Sequence, residues 1–437
     1  MKRTLAALAA LLAAGLTLAL PAAWTERGAA RSVAAVSTAA NVPETHHPEA
    51  AHGQDGAAAP RWKRSLDKLT SGVPISVSAE EYGQPLFTSR PAVERVPASN
   101  EKLLLSMAIL DALGTDHRIE TTASVARFSH GVVCGDLWLE GAGDPTIASA
   151  DLGRLARRIK ADGVRRITGS VLGSVEPFGH DWNAPGWKPR FRREEVGLPT
   201  ALTFDRNTIQ GKHVSHPERY AAASFAKHLR KLHVKIGHPP GAGRPPENLD
   251  EVASISSPPL LQTLHDQDVD SINFFAEVLN KLLGYTSSGT GTIAAGAAEI
   301  QTWAAANGVD LEAHDGSGLS YANRVSAEGI VDLLEAAENQ AWGPKLRSAL
   351  PHAGQGTLRG RLAGIKLHAK TGTLHVASAL CGWVWIRHDR TWAPFSILAG
   401  DIATDHVIAL EDQIVRIIAR NARLGAASRT PQDRAQG

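Results

Sequence analysis

Cysteine is almost absent from this chain of 437 residues, which contains only Cys134 and Cys381. Two cysteines exclude a small disulfide-stapled scaffold, and they cannot build a Cys-rich zinc site or a C-x-x-C redox motif. Charge of one sign is also lacking, since 46 Lys and Arg oppose 44 Asp and Glu and leave a net charge of +2. This balance gives no reason to expect nucleic acid as a partner, so any ligand has to be recognised locally.

Two familiar hydrolase signatures are missing as well. The chain has no G-x-S-x-G, the local sign of a conventional Ser-His-Asp hydrolase, and no H-E-x-x-H, the sign of a zinc peptidase. We therefore expect neither a metal nor a cofactor.

The one long hydrophobic run lies at the N-terminus. The basic start Met1-Lys2-Arg3 precedes an apolar run from Leu5 to Leu20, and small residues follow. This order predicts a signal peptide at residues 1–23 and an exported, extracytoplasmic protein, and the alternative is a retained N-terminal anchor at the membrane. We predict an Ala-rich disordered linker over residues 24–60 and a disordered tail over 423–437.

The folded part alternates strand-like and helix-like stretches. A helix at 101–113 is apolar on nearly every face, which predicts that it is buried. The other predicted elements are strands at 73–78, 85–87, 376–386 and 392–399, strands near 131–140 and 167–175, and helices at 152–161, 220–232, 260–283, 299–306, 327–339 and 405–419.

Strands at both ends of the chain predict one sheet to which both ends contribute. The predicted fold class is α/β (α+β), with a mainly antiparallel sheet flanked by helices. Residues 61–118 and 255–422 would form the main domain, and residues 119–254 would be an inserted accessory domain. The composition of a Gly/Pro-rich segment at 237–246 also suggests a domain boundary.

Three S-x-x-K motifs are present, and they differ in context. One helical turn between Ser and Lys puts both side chains on one face, so a desolvated lysine can take the proton of the serine. Ser65 and Ser224 lie in runs rich in Lys and Arg, where nothing would desolvate the lysine. Ser99 instead opens the buried helix, and Lys102 lies one turn further along. As an isolated motif, this pair could equally be a helix N-cap and a solvated lysine.

Two further motifs favour the chemical interpretation. Ser271-Ile272-Asn273 is the one S-x-N in the chain, and Lys370-Thr371-Gly372 is the one K-T-G. With Ser99 and Lys102 they give the order S-x-x-K, S-x-N, K-T-G, the signature of penicillin-recognising serine enzymes. The K-T-G comes just before the predicted strand at 376–386, so its residues can line a cleft.

The chain resembles the D-alanyl-D-alanine carboxypeptidases/endopeptidases of the class C low-molecular-mass penicillin-binding proteins. The similarity covers roughly residues 65–420. It rests on the three motifs and on the stretches 97–103, 135–146, 271–277, 315–326 and 369–374. The chain departs from the family pattern in two ways: Ile272 stands where members often carry Asp, and the predicted insertion is shorter than in the best-known members.

The resemblance implies a β-lactamase/transpeptidase-like fold with a helical subdomain. It also implies a serine DD-peptidase that removes the terminal D-Ala from peptidoglycan stem peptides or cleaves their D-Ala crosslinks. Ser99 would form the acyl-enzyme, Lys102 would take its proton, and Ser271 would relay that proton to the leaving amine. The implied substrate-binding residues are Asn273, Lys370, Thr371, Gly372 and Thr373. β-Lactam antibiotics would bind the same site as inhibitors.

Two other functions have the same fold. A serine β-lactamase needs a carboxylate that activates water, and the chain has no E-x-x-L-N segment to supply it. A noncatalytic wall-binding module would have lost part of the site, whereas Ser99, Lys102, Ser271 and Lys370 are all present. The sequence leaves the pairing of Cys134 with Cys381 open, and it predicts that residues 315–318 form a structural turn near the cleft.

Overall fold

The computed structural model describes residues 59–402 and 404–423. The predicted signal peptide, nearly all of the predicted linker and nearly all of the predicted tail lie outside the described residues. Among the helices that are described, none combines the length and the apolar character needed to cross a membrane.

The secondary structure is numbered in chain order. The helices are α1 (Arg61–Thr70), α2 (Glu101–Leu113), α3 (Ser149–Ala161), α4 (Pro217–Lys231), α5 (Leu260–Asp270), α6 (Asn273–Ser288), α7 (Ile293–Ala306), α8 (Ala327–Glu338), α9 (Gly343–Ala349) and α10 (Thr404–Asn421). The strands are β1 (Ile75–Glu81), β2 (Gln84–Ser89), β3 (Glu120–Val125), β4 (Phe128–Ser129), β5 (Val132–Val133), β6 (Leu137–Gly141), β7 (Arg166–Ile167), β8 (Val171–Ser174), β9 (Thr208–Ile209), β10 (Lys212–His213), β11 (Lys235–Ile236), β12 (Gly241–Gly243), β13 (Asp250–Ser256), β14 (Leu367–Leu374), β15 (Ala377–Ile386) and β16 (Thr391–Gly400).

An antiparallel sheet of order β14-β15-β16-β1-β2 has a separate hydrophobic core on each of its faces. Both chain ends contribute to it, as the sequence predicts, because β1 pairs with β16 in the register Val77 to Ile397. Alternate residues of β15 face opposite sides. Leu380 packs with α1 and α10, whereas Trp383 packs with the helical layer that contains α2, α6 and α8.

Helix α2 begins and ends where the sequence predicts. Its side chains are buried from Glu101 to Leu110, since the helix runs through the centre of the helical layer. Gly114 follows with φ +79° and ψ 166°, a positive-φ conformation that glycine adopts without steric cost and that ends the helix.

The single helix predicted at 260–283 is wrong. The chain instead forms α5 and α6, and Ser271 between them has φ +55°. Apolar residues continue at helical spacing across the break, through Leu264 and Phe274, so the periodicity contains no sign of it. Neither glycine nor proline marks the position. The break lies at the S-x-N motif and turns its serine out of the helix.

A second sheet, of order β12-β8-β6-β3-β13, has a core of its own. Helices α3 and α4 cover it through Leu155 and Phe225. The Gly/Pro-rich segment 237–246 is not a boundary, because β12 lies within it and pairs in parallel with β8. Backbone pairing accounts for this result, since glycine-rich sequence can still supply the hydrogen bonds of an edge strand.

Candidate active site

Ser99 and Lys102 are brought together at the start of α2. Ser99 lies in a short 3₁₀ turn, Ala98–Asn100, and is half-buried, whereas Lys102 is fully buried. Lys102 Nζ lies 3.0 Å from Ser99 Oγ and hydrogen-bonds to it. The other two motifs lie on outer surfaces, where Lys68 and Lys227 are exposed.

The backbone just before Ser99 is in an unusual conformation. Ala98 has φ +48°, which costs a non-glycine residue of order 1–3 kcal/mol and is common at functional sites. The loop at residues 315–318 packs directly against it. A Cβ on Gly318 would lie only 1.9 Å from the Ala98 carbonyl oxygen, and Gly318 itself has φ +77°. Glycine is required there by both space and conformation.

Lys102 has three hydrogen-bonding partners that fix its amine. Besides Ser99, it bonds to Asn273 Oδ1 at 2.7 Å and to the Ser317 carbonyl oxygen at 2.6 Å. Burial lowers the pKa of Lys102 to about 8, although Asp315 and other nearby carboxylates oppose the change. A fraction of the amine is therefore neutral near pH 7 and can accept the proton of Ser99.

Ser271 and Lys370 form the second pair of the site. The left-handed turn between α5 and α6 directs Ser271 Oγ to Lys370 Nζ, at 2.9 Å. Lys370 is fully buried and also bonds to the Thr371 carbonyl oxygen at 2.8 Å. Burial and the positive charge of Lys102 lower the pKa of Lys370, whereas Asp268 opposes that change.

The K-T-G motif forms part of a strand of its own. Lys370–Gly372 lie within β14, at the edge of the sheet, rather than before the strand as the sequence predicts. A Cβ on Gly372 would lie 2.7 Å from the Pro97 carbonyl oxygen and 3.1 Å from the Ser99 nitrogen. The absent side chain lets this strand lie against the Ser99 turn.

Thr371 of β14 is buried, and it contacts an exposed threonine of the adjacent 3₁₀ turn. The Thr371 hydroxyl bonds to the Thr357 hydroxyl at 2.7 Å, and Thr357 is exposed. Thr373, two positions further, is exposed as well. Sequence reasoning missed Thr357, because a single threonine in a loop carries no motif.

Sequence reasoning also missed a set of buried acidic groups behind the lysines. Asp315 accepts hydrogen bonds from five donors, which are the backbone nitrogens of Gly318 and Ser320, the hydroxyl of Ser317, the amide of Asn323 and the indole of Trp187. Asp268 accepts a bond from Ser106 at 3.1 Å. Glu101 and Glu277 are buried beside them. The loop at 315–318 thus holds Lys102 as well as forming the predicted turn, and its acceptor is a carbonyl, which has no sequence signature.

The two cysteines are free thiols. Cys381 is buried and accepts a bond from the side chain of Asn100 at 3.2 Å, next to Ser99. Burial raises the pKa of Cys381 to about 12, so this thiol is protonated and supports the Ser99 turn by packing and weak hydrogen bonding.

Comparison with known proteins identifies the family of the chain. The family described as the D-Ala-D-Ala carboxypeptidase 3 (S13) family matches residues 64–215 and 198–421. A D-alanyl-D-alanine carboxypeptidase of Actinomadura sp. strain R39 is 28% identical over 411 residues, covering 73% of this chain and 76% of its own. Carboxypeptidase DacB of Mycolicibacterium smegmatis is 28% identical over 374 residues, with 76% and 78% covered.

A solved structure has the same fold. Penicillin binding protein 4 of Haemophilus influenzae superposes with a TM-score of 0.70 at 19% identity, covering 83% of this chain and 100% of its own. The predicted fold class, a β-lactamase/transpeptidase-like arrangement of antiparallel sheet and helices, is confirmed.

Proposed function

Because the chain belongs to the D-Ala-D-Ala carboxypeptidase 3 (S13) family, we propose that it is a serine DD-peptidase in which Ser99 is the nucleophile and Lys102 is the general base. The bonding of Lys102 Nζ to Ser99 Oγ at 3.0 Å and to Asn273 Oδ1 at 2.7 Å carries this assignment. It joins two of the three motifs at one amine, and burial brings the pKa of that amine close to neutral pH.

Acylation begins with the serine hydroxyl. Ser99 Oγ attacks the carbonyl carbon of the penultimate D-Ala, a C–O bond forms, and Lys102 accepts the hydroxyl proton. The tetrahedral intermediate then collapses with loss of the C–N bond. Ser271, held by Lys370, relays a proton to the leaving amine, so that D-Ala departs as a neutral amine or its ammonium form.

The oxyanion formed during attack needs donors directed at it. The backbone nitrogens of Ser99 and Thr373 are proposed for this role, and the close approach of Gly372 to the Ser99 nitrogen supports it. A single donor of this kind is typically worth about 3 kcal/mol of transition-state stabilisation.

Residues on and beside β14 are proposed to bind the terminal carboxylate of the substrate. Lys370 supplies a positive charge, and the hydroxyl of Thr371 supplies a donor in a charge-assisted contact. Thr357 already bonds to that hydroxyl, so the proposed carboxylate-binding set includes Thr357. Asn273 would hydrogen-bond to the substrate amide while its Oδ1 orients Lys102.

Water completes the cycle by attacking the ester carbonyl. The ester bond between the acyl carbon and Ser99 Oγ breaks, the acyl product leaves as a carboxylic acid that carries the water oxygen, and a proton from the water restores the Ser99 hydroxyl. The substrates proposed are peptidoglycan stem peptides that end in D-Ala-D-Ala, or their D-Ala crosslinks. A β-lactam has a strained amide in place of the scissile bond and is proposed to acylate Ser99 as a slowly hydrolysed ester.

The experiment that tests this function uses a fluorescent penicillin and a D-Ala-D-Ala peptide. We expect the purified protein to be labelled and to release D-Ala, and we expect Ser99→Ala to do neither while keeping its unfolding temperature. The exposed Ser65→Ala serves as the matched control from another S-x-x-K motif and is expected to behave as the parent. Labelling that persists in Ser99→Ala would exclude this serine as the nucleophile.

The location and the domain division are also proposed. Export follows from the predicted signal peptide at 1–23, and cell-wall substrates require an extracytoplasmic site of action. The division into residues 61–118 with 255–422 and an insertion at 119–254 is supported by the separate sheet and core of the latter segment. Loss of secretion on deletion of residues 1–23 would test the first point.

A further inference from the structure

Glu277 is a buried acid that the catalytic scheme leaves without a role. It lies on α6, one helical turn after Asn273, so both side chains are on the same face. Asn273 contacts Lys102 directly. Glu277 contacts the segment that provides the other acceptor of Lys102.

That contact is a pair of backbone hydrogen bonds. Glu277 Oε1 accepts from the backbone nitrogens of Gly316, at 3.1 Å, and Ser317, at 2.7 Å. The carbonyl of the same Ser317 accepts from Lys102 at 2.6 Å. A single carboxyl oxygen therefore fixes the peptide units on either side of residue 316, directly before the carbonyl that binds the lysine.

The loop at 315–318 packs closely against α6. A Cβ on Gly316 would lie 2.5 Å from the Cβ of Asn280 and 2.9 Å from the Ala276 carbonyl oxygen, so the loop lies directly on α6. If the Glu277 acceptor were removed, two buried N–H groups would lose their partner, which costs roughly 1–3 kcal/mol for each group. The loop would then shift to satisfy them elsewhere, and the Ser317 carbonyl would move with it.

We propose that Glu277 is a positioning residue of the DD-peptidase site, which holds the Ser317 carbonyl against Lys102 so that the amine faces Ser99. The inference rests on the proposed function. It assigns to Glu277 a contact with the loop only, and not with substrate.

The role needs an acceptor oxygen and does not need a negative charge. Glu277 is fully buried, and Oε2 has no hydrogen-bond partner in the described part of the chain. Burial, reinforced by Asp315, raises the pKa of Glu277 to about 8. A neutral glutamine keeps the Oε1 acceptor at the same reach, and a methionine fills the volume without it.

The test compares Glu277→Gln with Glu277→Met in the full chain. The readouts are the second-order rate of acylation by fluorescent penicillin, kcat and KM for a D-Ala-D-Ala peptide, and the unfolding temperature. We expect the glutamine variant to acylate within about threefold of the parent. We expect the methionine variant to lose about 100-fold, mainly in kcat, as for a misplaced catalytic group.

Two further variants separate position from packing. Glu218→Met makes the same change at a buried glutamate on α4 and is expected to leave the acylation rate unchanged. Glu277→Asp retracts the carboxyl by one methylene and is expected to reproduce the loss, so it replaces the methionine variant if that chain does not fold.

Different results would overturn the proposed function and the positioning role of Glu277. Absence of acylation and of D-Ala release in the parent chain would overturn the proposed function. An active parent together with a folded Glu277→Met or Glu277→Asp that acylates at the parent rate would overturn the positioning role alone. A glutamine variant as slow as the methionine variant would also overturn it, because an acceptor would then not suffice.

Discussion

Replacing Asn273 by aspartate changes one atom in the polar set around Lys102 and adds a negative charge. Asn273 Oδ1 lies 2.7 Å from the lysine amine, so Asn273→Asp would place a carboxylate in direct contact with the ammonium form. An opposite charge within about 4–6 Å raises the pKa of a basic partner by roughly 1 to 3. We expect the pKa of Lys102 to move from about 8 to roughly 9–11 in the variant.

The size of the effect on rate follows from the neutral fraction of the amine. With a pKa of about 8, about one-tenth of Lys102 is neutral at pH 7, whereas a lysine at its ordinary value of 10.5 is neutral in about one molecule in 3,000. Acylation requires the neutral amine. The rate should therefore be highest at pH values above the pKa of Lys102 and should decrease as the pH falls below that pKa. Asn273→Asp should therefore acylate about 10- to 1,000-fold more slowly at pH 7 and should recover as the pH rises.

The assay is the rate of acylation by a chromogenic or fluorescent β-lactam measured between pH 6 and pH 10. A lost contact between the amide and the ligand would lower the rate equally at every pH, so the alkaline movement of the midpoint is diagnostic. Asn339→Asp, on the exposed end of α8, is the matched control and should keep the parent profile. A midpoint that does not move in Asn273→Asp would refute the role of Lys102 as the base.

Two further predictions concern the surroundings of Ser99. Gly318→Ala should lower both the unfolding temperature and the acylation rate, since its Cβ would clash with the Ala98 carbonyl oxygen. Gly308→Ala is the matched control, because Gly308 has a similar φ of +80° but open space around it. Equal losses in the two variants would contradict the steric explanation. Lys370→Met should reduce kcat/KM at least about tenfold more for a peptide with a free terminal carboxylate than for its C-terminal amide, because a charge-assisted contact is lost only in the former; equal reductions for the two peptides would exclude Lys370 as the carboxylate ligand.

The elements that sequence predicted best are those whose signals are local. Helix α2 has an apolar residue on almost every face and a glycine after its last turn, so its extent, Glu101–Leu113, could be predicted exactly. The strands β15 and β16 carry continuous runs of apolar residues, which also made them visible. The three motifs pointed to residues that contact one another in the structure, since Lys102 bonds to Ser99 and Asn273 and Lys370 bonds to Ser271.

The parts that sequence could not predict depend on backbone conformation or on distant packing. The break at Ser271 requires a left-handed φ, and nothing in an apolar periodicity reports φ. The Ser317 carbonyl belongs to the backbone and would be present with any residue at that position. Glu277 lies within the stretch 271–277 that resembles the family. Its hydrogen bonds to the loop could not be predicted, because they form only when α6 and residues 315–318 come together in the fold.

The sheet that supports the cleft has a consequence for the timing of synthesis. Strand β1 finds its partner β16 only when nearly the whole chain has been made, and the K-T-G strand arrives in the same late segment. Until then the hairpin of β1 and β2 has an open edge, which is a hazard for pairing with other chains. The second sheet, with contiguous sequence and its own core, has all its strands earlier. A chain that stops before β14 therefore carries Ser99 and Lys102 but lacks Lys370 and the strand that lies against the Ser99 turn.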